Sequence, residues 1–289
     1  MEVINNADMS KYTSFRAGGC AKKLITVENV DELAEVLKEI EKNGEKHLLI
    51  GNGSNILFKD EGYSGTVIKL GGSFDEITRK EGNIIACGAS ALLSKAARFA
   101  LDESLSGFEF AAGIPGSVGG AMFMNAGAYG GEMKDIVKSV SVMSKDGKSI
   151  YTLHNEDMDF GYRRSRLGES GEIVLSVCYE LCEGNPEEIE GTMSELMKKR
   201  NDKQPVNYPS AGSFFKRPEG DFAGRLVEAA GLRGLTVGGA QVSEKHCGFV
   251  INKGGATATD ITDLMHLVQN TVKDKFGVML EPEVRIIGD

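Results

Sequence analysis

The sequence predicts a mixed α+β protein of at least two domains, divided near residue 185. Three observations carry this reading. Amphipathic helical stripes are mixed with runs of short strands instead of following one repeated unit. Alternating apolar and polar residues near 140–144, 149–153 and 173–180 have the pattern of half-buried antiparallel strands. The stretch Glu183-Gly184-Asn185-Pro186 then interrupts the pattern before a new helical segment.

The first helix is expected over 31–42. Asp31 caps it, Leu33, Val36, Leu37 and Ile40 form its apolar stripe, and Gly44 follows its end. Short strands are expected near 48–50, 67–70 and 84–87. A second helix over 91–102 turns Leu92, Leu93, Ala96, Phe99 and Ala100 inward. Beyond the boundary, Glu187 and Glu188 open a helix that reaches about residue 200. A loop with Pro205 and Pro209 leads to a helix over 222–230, stopped by Gly231. A strand pair at 241–243 and 247–252 comes next. A helix from Thr259, as N-cap, to Phe276 follows, with Gly277 beyond it, and a strand over 278–287 closes the chain.

At 289 residues the chain can bury a large core. A hydrophobic content of 41% and a charged content of 26% are ordinary for a globular protein. No apolar run approaches the roughly 18 residues that span a bilayer. The start, Met1-Glu2-Val3-Ile4-Asn5-Asn6, lacks the basic and apolar parts of a signal peptide. Cys20, Cys87, Cys178, Cys182 and Cys247 are odd in number and show no paired spacing, which favours reduced thiols in the cytoplasm. The net charge of −9 argues against nucleic acid as a partner. Lys198, Lys199, Arg200, Lys203, Lys216 and Arg217 nevertheless cluster, as do Arg163, Arg164 and Arg166, which suits a small anionic ligand. No sticky helix is evident, so a monomer is expected.

The most informative segments are rich in glycine. One runs Ala112-Gly113-Ile114-Pro115-Gly116-Ser117-Val118-Gly119-Gly120-Ala121 and on to Asn125-Ala126-Gly127-Ala128-Tyr129. The other is Gly51-Asn52-Gly53-Ser54-Asn55, between Leu48-Leu49-Ile50 and Ile56-Leu57-Phe58. Interleaved apolar residues let both be buried. Two readings stand: tight turns in a β-rich domain, or backbone cradles whose N–H groups hold a diphosphate. Neither segment is a Walker A loop or a Rossmann fingerprint.

Three polar constellations sit in apolar surroundings: Phe160-Gly161-Tyr162-Arg163-Arg164-Ser165-Arg166; Pro209-Ser210-Ala211-Gly212-Ser213-Phe214-Phe215-Lys216-Arg217; and Leu280-Glu281-Pro282-Glu283-Val284-Arg285. Strand alternation places Glu281, Glu283 and Arg285 on one face. Glu283 is either half of an ion pair with Arg285 or a functional carboxylate. His246-Cys247 is a poor nucleophile pair, because strand neighbours point to opposite faces. His47, His154, His246 and His266 show no metal-ligand spacing.

With Ser14-Phe15-Arg16-Ala17-Gly18-Gly19 added, these segments resemble, in order and spacing, the MurB family of UDP-N-acetylenolpyruvoylglucosamine reductases, over nearly the whole chain. The resemblance implies the two-subdomain FAD-binding fold of the p-cresol methylhydroxylase/vanillyl-alcohol oxidase type, with a C-terminal α+β substrate domain. It places the FAD-binding domain at 14–183, with subdomains at about 1–72 and 73–183, and the substrate domain at 187–289. It points to the shorter branch, without the inserted substrate-capping loop. Some members carry asparagine where this chain has Arg217.

The implied reaction is NADPH-driven reduction of the enolpyruvyl group to give UDP-N-acetylmuramate, a peptidoglycan precursor. Hydride addition drives negative charge into the substrate carboxylate, which calls for fixed cations or acids. By resemblance Arg163 and Glu283 supply these, Glu283 as a protonated donor with a raised pKa, and Ser213 donates the quenching proton. FAD is implied at Gly51, Asn52, Gly53, Ser54, Asn55, Gly113, Ile114, Pro115, Gly116, Ser117, Gly119, Gly120, Ala126 and Gly127. The UDP-sugar is implied at Tyr129, Lys203, Lys216, Arg217, Gln241 and Arg285. Two alternatives are a flavin oxidase of the same fold acting on an alcohol or phenol, and a non-catalytic nucleotide-sugar binding protein.

Overall fold

A computed structural model describes residues 1–289 and divides them into two compact units. The first comprises 1–4, 24–52 and 65–200; the second comprises 5–23, 53–64 and 201–289.

In the first unit helix α1 spans Val30–Asn43. Its N-cap is Asn29, whose side chain accepts from Glu32 N–H, so Asp31 lies inside the first turn instead of capping it. Asn is as good a cap as Asp, and both lie within one turn of the apolar stripe. Leu33, Val36, Leu37 and Ile40 are buried as expected, in a cluster with Ile25, Val27, Ile68 and Phe74. They pack where His47–Ile50 runs parallel to residues 66–69. A five-stranded antiparallel sheet follows, in the order Ile150–His154, Val137–Met143, Ile173–Glu180, Ile84–Gly88 and Ile77–Arg79.

Helix α2, Leu93–Asp102, begins two residues later than expected. Helix α3, Val118–Met124, lies inside the glycine-rich segment and has no counterpart in the sequence reading. Its glycines weaken the local helical signal, and burial of Val118, Ala121 and Met122 in the core beside Ala91, Leu93 and Ala96 stabilises it instead. A single turn, α4, spans Leu167–Ser170. Helix α5, Pro186–Lys203, places Pro186 in its first turn, while Asn185 Oδ1 accepts from Glu187 N–H and Glu188 N–H.

The second unit has a four-stranded antiparallel sheet: Ser210–Ser213, Phe249–Asn252, Ala240–Val242 and Thr236–Val237. Helices α6, Ala223–Ala229, and α7, Ala258–Phe276, share its core. The N-cap of α7 is Thr257, which forms a capping box with Asp260; Thr259 lies inside the first turn. The closing strand is confined to Arg285–Ile287, parallel to Ile56–Phe58. Pro282, which lacks an N–H, interrupts the longer strand that was expected.

Residues 5–23 and 53–64 belong to this unit although they precede the split near 185. Phe15, Ala17 and Leu57 are buried in its core. Asn252 Nδ2 donates to Phe15 O, and Ser14 Oγ donates to Ser210 O at 2.6 Å. Asp60 accepts from Ala258 N–H, Thr259 N–H and Thr259 Oγ, an added cap on α7. No helix is long and apolar enough to cross a membrane.

Burial of Asp60 opposes its ionisation, but the bonds from Thr259 and Ala258 outweigh this and hold its carboxyl below the usual range. A carboxyl so lowered stabilises the fold above its unfolded pKa and loses that effect as pH falls through the folded value. Asp60→Ala is expected to cost about 1 kcal/mol in urea unfolding at neutral pH. The difference should fade below about pH 4. Equal midpoints at neutral pH would contradict this role.

Candidate active site

The cradle in the first unit is built from two loops that touch. A Cβ at Gly51 would lie 2.3 Å from Ser117 Oγ, so any larger residue there would force the serine hydroxyl, and with it the α3 cap, to shift. Asn52 Nδ2 donates to Pro115 O at 2.8 Å and ties the loops together. Lys69 Nζ donates to Gly51 O. Ser117 caps α3 by accepting from Gly120 N–H.

Amide bookkeeping narrows which groups face a ligand. Ile114 N–H donates to Ala111 O, Val118 N–H to Ala91 O and Gly119 N–H to Ala89 O. These, with Gly120, hold the loop's own shape. Ala126 N–H likewise closes on Ala121 O, and Gly127 sits in a tight hairpin opposite Glu132. The amides of Asn52, Gly116 and Ser117 donate to no protein acceptor. Open amides of this kind can form an anion-binding nest, a feature suited to a diphosphate. Gly53 and Ser54 belong to the second unit, as does Asn55.

Arg200 belongs to the basic cluster expected to meet an anionic ligand. Its side chain packs on the cradle: a Cβ at Gly113 would lie 3.1 Å from Arg200 Cδ. Burial lowers the Arg200 guanidinium below its ordinary value, and Tyr129 acts in the opposite direction. It stays charged, because arginine does not deprotonate in proteins. Tyr129 is exposed and held at φ 54°.

Arg163 is also in the first unit, half-buried, at φ 54° in the turn Gly161–Arg164. Gly161 N–H donates to Arg164 O, and Arg164 N–H donates to Gly161 O. The Arg163 guanidinium lies 5.2 Å from the centre of the Tyr162 ring.

In the second unit the Ser213 and Glu283 segments are paired. Glu283 N–H donates to Phe214 O at 2.8 Å and Lys216 N–H to Glu281 O at 2.9 Å, around a bridge between Phe215 and Pro282. Ser213 is exposed and Glu283 half-buried. Phe214 and Phe215 are buried, and Phe214 stacks edge-on against Phe15 at 6.1 Å. Asn55 fixes the Glu283 side of the pair: its Nδ2 donates to Glu283 O at 3.0 Å, and its carbonyl accepts from Arg285 N–H at 3.0 Å.

Lys216 Nζ lies 3.1 Å from Glu281 Oε2, an exposed ion pair of little strength. Arg217 packs over the Phe222 ring at 4.7 Å, and Lys203 is exposed. Arg285 keeps solvent access, although crowding lowers its guanidinium. Gln241 is buried, and its Nε2 donates to Gly234 O and Thr236 Oγ. His246 and Cys247 lie in a turn, not in the strand expected over 247–252. The adjoining strand is Phe249–Asn252, and His246 Nδ1 accepts from Gly248 N–H.

The fold and this nest define an FAD-binding protein: an FAD-binding domain family matches residues 21–152. The UDP-N-acetylenolpyruvoylglucosamine reductase C-terminal domain family matches residues 204–287. The reductase of that name from Clostridioides difficile (strain 630) is 52% identical over 281 residues, covering 97% of this chain and 92% of that protein. That from Clostridium botulinum (strain Alaska E43 / Type E3) is 51% identical, covering 100% of this chain and 94% of that protein. The crystal structure of MurB from Thermus caldophilus is similar with a TM-score of 0.84 at 37% identity, over 99% of this chain and 98% of that one. The chain belongs to the UDP-N-acetylenolpyruvoylglucosamine reductase family.

Gly51→Ala is expected to separate the loops, so that the purified variant keeps its far-UV circular dichroism but holds less flavin. Adding Ser117→Ala, which removes the clashing Oγ, should recover part of the flavin. Full flavin content in Gly51→Ala would contradict the role given to this contact.

Proposed function

We propose that this protein reduces the enolpyruvyl group of UDP-N-acetylenolpyruvoylglucosamine to give UDP-N-acetylmuramate. NADPH is the reductant and FAD the bound cofactor. The observation that carries the reading is the paired Ser213 and Glu283 segments, in a chain that matches its relatives over nearly full length. The chemistry that FAD supplies when bound is hydride relay from NADPH to the terminal carbon of the enolpyruvyl group.

The chain's own residues act around that transfer. Asn52, Gly116 and Ser117 offer amides to the cofactor diphosphate, with Gly53 and Ser54 as further contacts. Hydride addition moves negative charge into the enolpyruvyl carboxylate, and Arg163 stabilises it there. Glu283 assists with its carboxyl group. Ser213 gives its Oγ proton to the carbon next to the carboxylate, a transfer open to a weak acid because that carbanion is strongly basic. The buried rings of Phe214 and Phe215 fix the serine's backbone.

Lys203, Lys216, Arg217 and Arg285, with Tyr129 and Arg200, are the contacts for the substrate's anionic groups. The Lys216–Glu281 pair is weak enough for a phosphate to displace. Gln241 retains only its carbonyl for a ligand. The setting is the cytoplasm, consistent with five unpaired cysteines, and the working unit is a single chain.

Ser213→Ala is the direct test. It should bind flavin and let NADPH bleach it, while turnover of the enolpyruvyl sugar nucleotide falls by about 10²–10⁴-fold. Undiminished turnover would exclude Ser213 as proton donor.

A further inference from the structure

Asn125 is a buried, fully bonded polar residue of the first unit that the reaction scheme leaves without a role. It is 1% exposed and holds φ 44° as the C-cap of α3, a left-handed conformation that Asn tolerates better than most residues. All of its side-chain bonding is internal. Nδ2 donates to Gly161 O at 3.1 Å and to Glu132 Oε2 at 3.0 Å, while Oδ1 accepts from Lys134 N–H at 3.0 Å.

These partners converge on Arg163. Gly161 O is also the acceptor for Arg164 N–H, so it is the carbonyl that closes the Arg163 turn. Glu132 is a carboxylate held below its usual range by the hydrogen bond from Lys134, helped by Asn125 and by the Arg163 charge. Ser165 Oγ adds a second tie, donating to Phe123 O near the end of α3. Arg163 at positive φ needs such support, because a bulky residue pays strain there.

We propose that Asn125 is a positioning residue: one amide group fixes both the carbonyl that closes the Arg163 turn and the carboxylate that shares the Arg163 field. Asn125 acts through Arg163 and touches neither substrate nor cofactor. The inference rests on the role given to Arg163 above. A displacement of about 1 Å at such a group can lower turnover by roughly 10²-fold.

The test compares Asn125→Asp, which keeps the shape but loses the donor, with Asn125→Gly, which keeps the left-handed backbone. Each is made alone and with Arg163→Ala in the FAD-loaded protein. Hydrogen exchange at the amides of Gly161 and Arg164 is followed without substrate. Both single variants should lose protection at these amides, keep their flavin, and lose about 10–100-fold in kcat for the sugar nucleotide. Neither should lower turnover further in the Arg163→Ala background.

Unchanged protection, or losses that multiply with Arg163→Ala, would overturn the proposal. So would loss of flavin from both variants, since Asn125 would then hold the cradle instead of the turn. Full turnover in Arg163→Ala alone would defeat the role given to Arg163, whereas exchange at Gly161 and Arg164 reports on Asn125 independently.

Discussion

Gly51 and Ser117 lie so close that a Cβ at position 51 would meet Ser117 Oγ at 2.3 Å. That contact, with the Asn52–Pro115 bond, turns two loops distant in sequence into one cradle and sets where α3 begins. The far end of α3 is Asn125, which reaches the Arg163 turn. The cradle loop at 116–117 and the Arg163 turn therefore hang on the same two-turn helix. A change that tilted α3 would move both, and burial with a cap at each end holds so short a helix in place.

The protein carries a net charge of −9 yet is built to take anionic ligands. It does this locally. Backbone amides supply positive potential without net charge, and Arg200 brings a half-buried guanidinium against the cradle at Gly113. On the Ser213 side the same economy holds. Hydrogen bonds between 214–216 and 281–283 fix the backbone, and buried phenylalanine rings beneath restrict its motion.

Much of this was legible in the sequence, and the reasons differ by element. The α1, α2 and α7 segments carry a strong 3.6-residue apolar period, so their existence was clear and only their caps moved: Asn29 for Asp31, Thr257 for Thr259. Such shifts arise because neighbouring Asn, Asp and Thr residues compete for one cap and tertiary contacts choose among them. Helix α3 was hidden because glycines erase local propensity where the core supplies the stability. The strand Glu2–Asp8 was missed because it is short of buried residues.

The motifs around Ser213 and Glu283 could be picked out of the sequence, and the structure pairs their backbones. The contacts of Arg200 with Gly113 and of Asn125 with Gly161 could not be read, since no spacing in the chain encodes them. The placement of 5–23 and 53–64 with the C-terminal residues had the same cause: Phe15 and Leu57 are ordinary apolar residues until the core that receives them is known.

The most direct measurement is an anaerobic absorbance spectrum of the purified protein, taken before NADPH, after it, and again after the enolpyruvyl sugar nucleotide is added. The expected result is a flavin band that NADPH bleaches and the sugar nucleotide restores. A bleached flavin that only oxygen restores, or a protein with no flavin after incubation with FAD, would contradict the assigned reaction.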